Sequence, residues 1–159
     1  MTEGQSLEIM ARQLIDSVST MTLATSGGKE AWAAPVYYVF YDRDFYFFSA
    51  PDSRHIVESA ASGQAAAAIY PAVSSWRDIR GIQMSGRIDP VRPGLKAIGA
   101  LRAYIGKYPF TQEFFESRQE LDLEAFAKRF RVRLYRFEPR LVCYLDNKIR
   151  FGFRESVCL

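Results

Sequence analysis

Residues 21–59, MTLATSGGKEAWAAPVYYVFYDRDFYFFSAPDSRHIVES, decide the fold. Met21 to Ser26 reads as a strand closed by the Gly27–Gly28 turn. Ala31 to Tyr41, rich in β-branched and aromatic residues, reads as a second strand. Asp42-Arg43-Asp44 is a turn, and Phe45 to Ser49 is a third strand. Connections this short join antiparallel neighbours, so the three segments predict a meander. Pro51 and Ser53 then signal a helix start, and Ser53 to Ser62 reads as a short helix ending at Gly63.

Outward from that stretch, Leu7, Met10, Ala11, Leu14 and Val18 recur at helical spacing and predict an opening amphipathic helix, with Ser6 as its cap. Downstream, Ala65 to Tyr70 is a fourth strand, Pro71 to Asp78 a loop, and Ile79 to Val91 a long fifth strand. Pro93 begins LKAIGALRAYIGKY, helical by period, which Pro109 ends. Thr111 to Lys128 reads as helical in pieces, with Thr111 to Glu124 the segment expected to move. Phe130 to Phe137 alternates and predicts a sixth strand; Leu141 to Asp146 predicts a seventh. Strands at short intervals, with helices inserted after the third and fifth, predict a mainly β fold: a closed or nearly closed antiparallel barrel with peripheral helices. No repeat or linker divides the sequence, so residues 1–159 read as one domain.

Composition narrows the function classes. An apolar content of 48% with 25% charged residues is that of a soluble globular protein. A net charge of +3 is too small to argue for nucleic acid. In the basic run Lys128, Arg129, Arg131, Arg133 and Arg136, three arginines alternate with Phe130, Val132 and Leu134, the pattern of a solvated strand face. The two cysteines, Cys143 and Cys158, have neither CxxC nor Cys/His ligand spacing, which argues against a metal site and a disulfide framework. The N-terminus lacks the pattern of a signal peptide, and no run approaches a membrane span. The sequence therefore predicts a cytoplasmic location, with no membrane or nucleic-acid partner.

His55 is the only histidine, and neither HExxH nor GxxxxGK[ST] occurs. Asp122 and Glu124 lie in a charged surface stretch. No machinery for acyl, glycosyl or phosphoryl transfer is evident, and no catalytic residue can be named. That pattern is compatible with a redox cofactor, because a flavin carries the hard chemistry itself.

Four segments are candidates for holding such a group. Ser49, Ser53, Arg54 and His55 stand where a strand enters a helix, and hydroxyls, a guanidinium, an imidazole and unpaired amides suit a phosphate. The alternative is a simple N-cap beside a solvated arginine. In WRDIRGIQMSGR, residues 76–87, alternation puts Gly81, Gln83 and Ser85 on one face; either a flat ligand approaches there or the barrel bends at Gly81. Pro35 within the second strand marks an edge or a place where a flat ligand lies on the backbone. Phe151, Phe153 and Arg154 provide packing, a subunit contact or a lid.

These segments occur in an order that resembles the pyridoxamine 5'-phosphate oxidase-like FMN-binding split barrels, over about Met21 to Arg154. The sharper markers, IRGIQ and LDNKIRFGFR with a helix ending in KYPF, are similar to a small bacterial subfamily. The resemblance implies a six-stranded split barrel, a homodimer, and FMN at the dimer interface. It implies that Ser49, Ser53, Arg54 and His55 hold the phosphate, with His55 where lysine is common. It further implies that the ring rests on Pro35, Val36 and Tyr37, that Gln83 reaches the cofactor, and that Trp76, Phe151 and Arg154 complete the site from the other subunit. FGFR stands where true pyridoxamine phosphate oxidases carry an arginine-histidine signature, which argues against pyridoxine chemistry. The function implied is that of an oxidoreductase acting on a small substrate; the alternative is a non-catalytic binder of flavin, haem or another flat ligand.

Overall fold

The computed structural model describes residues 3–115 and 123–159. Its strands are β1 (Thr20–Ser26), β2 (Ala31–Tyr41), β3 (Asp44–Ser49), β4 (Ala65–Ile69), β5 (Arg80–Pro90), β6 (Arg133–Asp146) and β7 (Arg154–Ser156). Its helices are α1 (Glu3–Ser17), α2 (Arg54–Ser62), α3 (Leu95–Lys107) and α4 (Leu123–Phe130). The strands follow the order β3-β2-β1-β4-β5-β6, and β6 pairs back onto β3, from Phe45↔Phe137 to Ser49↔Arg133. Every pairing is antiparallel, so the six strands close a barrel, and β7 is added outside it along β6.

Alternation along each strand fills the interior. Met21, Leu23, Val36, Tyr38, Phe45, Phe47, Ile82, Met84, Phe137 and Tyr144 are among its buried residues. The helices α1 and α2 close opposite ends. Tyr38 Oη donates to the Ile15 carbonyl of α1 at 2.6 Å, and Thr25 Oγ1 donates to Glu58 of α2 at 2.7 Å. Lys107 Nζ donates to the Ile15 and Val18 carbonyls, supplying a cation to the C-terminal end of α1. A second cluster, Val39, Tyr46, Ala100, Tyr104, Tyr108 and Leu134, holds α3 against the outside of β2, β3 and β6.

Four expectations change. The sixth and seventh strands are one strand, β6. Its inward residues are Tyr135 and Phe137 before Pro139 but Val142 and Tyr144 after it, so the phase slips by one residue. That slip is a β-bulge opposite Ser85/Gly86. A Cβ on Gly86 would collide with the Glu138 carbonyl, which explains glycine there. Second, Phe130 belongs to α4, not to a strand. Arg131 then adopts φ 53° and Val132 N–H bonds back to the Ala127 carbonyl, ending the helix in a left-handed turn. Lys128 and Arg129 are therefore helical and not part of a strand face. Third, Ser6 lies inside α1 and does not cap it. Fourth, β7 lacks a signal of its own in three polar residues. Asp122, and residues 116–122 of the segment expected to move, lie outside the described residues. No helix among the described residues is long and apolar enough to cross a membrane.

Candidate functional site

The inward alternation of Phe45 and Phe47 on β3 continues to Ser49, which meets the start of α2 at the barrel end. Ser49 Oγ lies 2.9 Å from Ser53 Oγ and 2.9 Å from His55 Nε2, and Ser53 Oγ lies 3.3 Å from the same nitrogen. Three of the four cradle residues are thus in mutual contact. Ser53 stands at the N-cap with extended backbone, φ −65° and ψ 143°, yet its hydroxyl donates to the Ala50 carbonyl at 2.8 Å and makes no cap bond. The amides of Arg54 and His55 open the helix without an intrahelical acceptor. Burial lowers the His55 pKa, only partly offset by the nearby Glu58 carboxylate, so the imidazole is neutral at pH 7.

Arg54 turns away from this cluster. Its Nε donates to Glu58 at 2.6 Å and its Nη2 to Glu30 at 3.0 Å, while its guanidinium lies 4.7 Å over the Trp32 ring. Glu58 is buried and also accepts from Thr25; these bonds hold its carboxyl below the usual range. The arginine therefore ties α2 to the β1–β2 hairpin.

The ring-binding candidates divide by strand face. Val36 points into the core, whereas Pro35 and Tyr37 face outward. Pro35 pairs with Thr22 of β1, and the β3 ladder begins only at Tyr38, so β2 has a neighbour on one side there. The row continues Pro35–Thr22–Ala68–Gln83. Three inter-strand steps put Gln83 about 14 Å from Pro35 on the same outer face. Gln83 is exposed on that outer face, whereas Ser49 and His55 are buried at the start of α2. The next row, Ala33–Ala24–Ala66–Ser85, has only small side chains.

Trp76 and Phe151 meet edge to face at 5.7 Å, and both rings are exposed. Asn147 holds them together by donating to the Trp76 carbonyl at 2.8 Å and accepting from the Gly152 N–H at 3.0 Å. Gly152 has φ 71°, a left-handed turn that suits glycine. Asp146 is buried, accepting from Tyr144 Oη and the Lys148 N–H. Much of the LDNKIRFGF segment is accounted for by this local clasp. Arg154 is exposed on β7, opposite Leu145. Gly81 does not bend the barrel: a Cβ there would lie 3.0 Å from the Ile69 carbonyl, so it permits close strand packing.

No protein-family model matches the chain, and no curated protein matches it. Solved structures do match. ChuZ from Campylobacter jejuni superposes with a TM-score of 0.74 at 11% identity, covering 99% of this chain and 61% of that one. A heme binding protein from Mycobacterium smegmatis gives 0.72 at 16%, covering 99% and 60%. An FAD-binding protein from Mesorhizobium loti gives 0.58 at 17%, covering 84% and 90%. The likeness is one of fold: this chain and these proteins share the split-barrel architecture. The chain spans about 60% of the length of the first two of these split-barrel proteins.

Two further residues belong to the split barrel's α2 end. Trp32 forms the platform under Arg54; its outward position on a strand was readable, but its partner comes from another element. Arg133 faces Ser49 across the β3–β6 ladder, is exposed, and makes no ion pair among the described residues. Its alternation suggested only a solvated face, because the closure that brings β6 beside β3 is not encoded locally.

Proposed function

We propose that this protein binds a flavin mononucleotide on a homodimeric split barrel and serves as an oxidoreductase for a small substrate. The observation that carries the proposal is the contact of Ser49, Ser53 and His55 beside the open amides of α2. Two amide donors and the Ser49 hydroxyl fit a phosphate, the Ser53 hydroxyl joining them by exchanging the Ala50 carbonyl, and Arg133 opposite Ser49 adds a cation with no ion pair among the described residues. Arg54 would join them only by exchanging Glu30 for the phosphate. A bound flavin supplies the electron-transfer chemistry; the protein supplies binding and orientation.

The outer sheet face supports a second subunit in this reading. A plane of Ala24, Ala33, Ala66, Ala68 and Ser85 is flat enough for close sheet-to-sheet contact, and a second copy would bring Gln83 and the Trp76–Phe151 pair near another protomer's α2 end. Haem, bound by relatives of the same fold, is the second reading. Flavin is preferred because the only histidine is buried and directed at Ser49, not presented to an iron.

The test is a fluorescence titration of the protein with FMN. Arg54→Ala is expected to weaken binding by about tenfold. Glu30→Gln is expected to strengthen it severalfold, because it removes a competitor for the guanidinium. Unchanged affinity in both variants would refute the assigned cradle.

A further inference from the structure

A cavity of about 500 Å³ lies between β3, β5, β6 and the start of α3, on a different part of the barrel wall from the α2 cluster. Arg87, Arg92, Lys96 and Arg136 line it, against a single lining carboxylate, Asp89. Three of these cations also reach carboxylates at its margin. Arg87 bonds Glu138 at 2.8 Å and Asp89 at 3.1 Å. Arg136 bonds Glu138 at 3.0 Å, and Asp44 and Asp89 at 3.5 Å each. Lys96 bonds Asp42 at 3.0 Å and Asp44 at 3.4 Å. Arg92 makes no ion pair among the described residues and is exposed.

Tyr46 supplies an independent observation. Its side chain is fully buried, it lines the cavity, and its hydroxyl has no hydrogen-bond partner among the described residues. A buried hydroxyl without a partner costs about 1–3 kcal/mol, so a ligand oxygen that accepted its proton would recover that loss. The first turn of α3 lies beside the cavity, lacks a side-chain cap, and contains no acidic residue, so its amides add positive potential.

We propose that this cavity binds a compact polyanion, the phosphate or pyrophosphate group of a small metabolite, through Arg92, Arg87, Arg136, Lys96 and the Tyr46 hydroxyl. The arginines provide planar forks that suit phosphate oxygens. The paired carboxylates keep three of the cations in place, and Arg92 brings the charge that has no ion-pair partner among the described residues. The site is independent of the flavin reading, because none of its residues belongs to the α2 cluster or to the Pro35–Gln83 face.

The test is calorimetric titration with inorganic pyrophosphate at low ionic strength, together with thermal melts. Wild type is expected to bind and to melt higher with ligand. Arg92→Ala and Tyr46→Phe are each expected to weaken binding by about fivefold or more, whereas Arg54→Ala leaves it unchanged. Tyr46→Phe removes only an unpartnered hydroxyl, so the ligand-free variant should melt no lower than wild type. The proposal is overturned by absence of binding, by binding insensitive to Arg92→Ala and Tyr46→Phe, by loss in Arg54→Ala alone, or by a lower melting point in ligand-free Tyr46→Phe.

Discussion

At the scale of single residues, His55 feels two opposing influences: burial disfavours its charge, and Glu58 favours it less strongly. The folded pKa therefore lies below the unfolded one. Such a group contributes stability that is present above the unfolded pKa and is lost as pH falls through the folded value. Denaturation midpoints measured from about pH 7 to pH 5 should fall in wild type and fall less in His55→Gln. Equal slopes would mean that burial does not govern the imidazole. The association of Ser49, Ser53 and His55 was legible in the sequence, because a strand end and a helix N-cap four residues apart must lie close together. The i,i+4 spacing of Arg54 and Glu58 was equally available. What local sequence could not supply was the hairpin that brings Glu30 and Trp32 to the same guanidinium. A lone arginine at a helix start reads as a free anion ligand, whereas in the fold it is paired with Glu58 and Glu30 and can meet an anion only by exchanging one of them.

At the scale of elements, β6 has the most instructive discrepancy. Pro139 and Arg140 interrupt the alternation, and an interruption of period two reads as a turn between strands. In the structure the strand runs through it, and the bulge absorbs the extra residue opposite Gly86. Replacing that glycine by alanine pushes a methyl group into the Glu138 carbonyl. Gly86→Ala should cost about 1–3 kcal/mol of stability, the usual range for overpacking, measured by urea denaturation. A loss within error would mean that the two strands separate easily at the bulge. By contrast β1, β2 and β3 were readable almost to the residue, because short turns fix their order and inward and outward residues alternate clearly. Leu134 lies on the outward face of β6, yet it is buried because α3 covers it; strand periodicity alone cannot identify such a second layer.

At the scale of the whole molecule, one side of the barrel is covered and one is bare. The α3 layer covers the outside of β2, β3 and β6, while the small residues of β1, β2, β4 and β5 face outward. If that plane joins two copies, Ala24→Arg places an uncompensated charge in the contact. The dimer should then weaken on the order of a hundredfold, read by sedimentation equilibrium of the purified protein. Wild type that remains monomeric at all accessible concentrations would contradict the dimer. The antiparallel barrel and its closure were legible in the spacing of the strands, but the pairing of β3 with β6 that closes it was not, since the partners lie 92 residues apart in the Phe45↔Phe137 pair. The central claim concerns what this barrel holds. The most direct measurement is the visible spectrum of the protein as purified, followed by denaturation and mass identification of any released chromophore. The expected result is a flavin spectrum and release of FMN. A Soret band, or a colourless protein that also fails to take up added FMN, would contradict it.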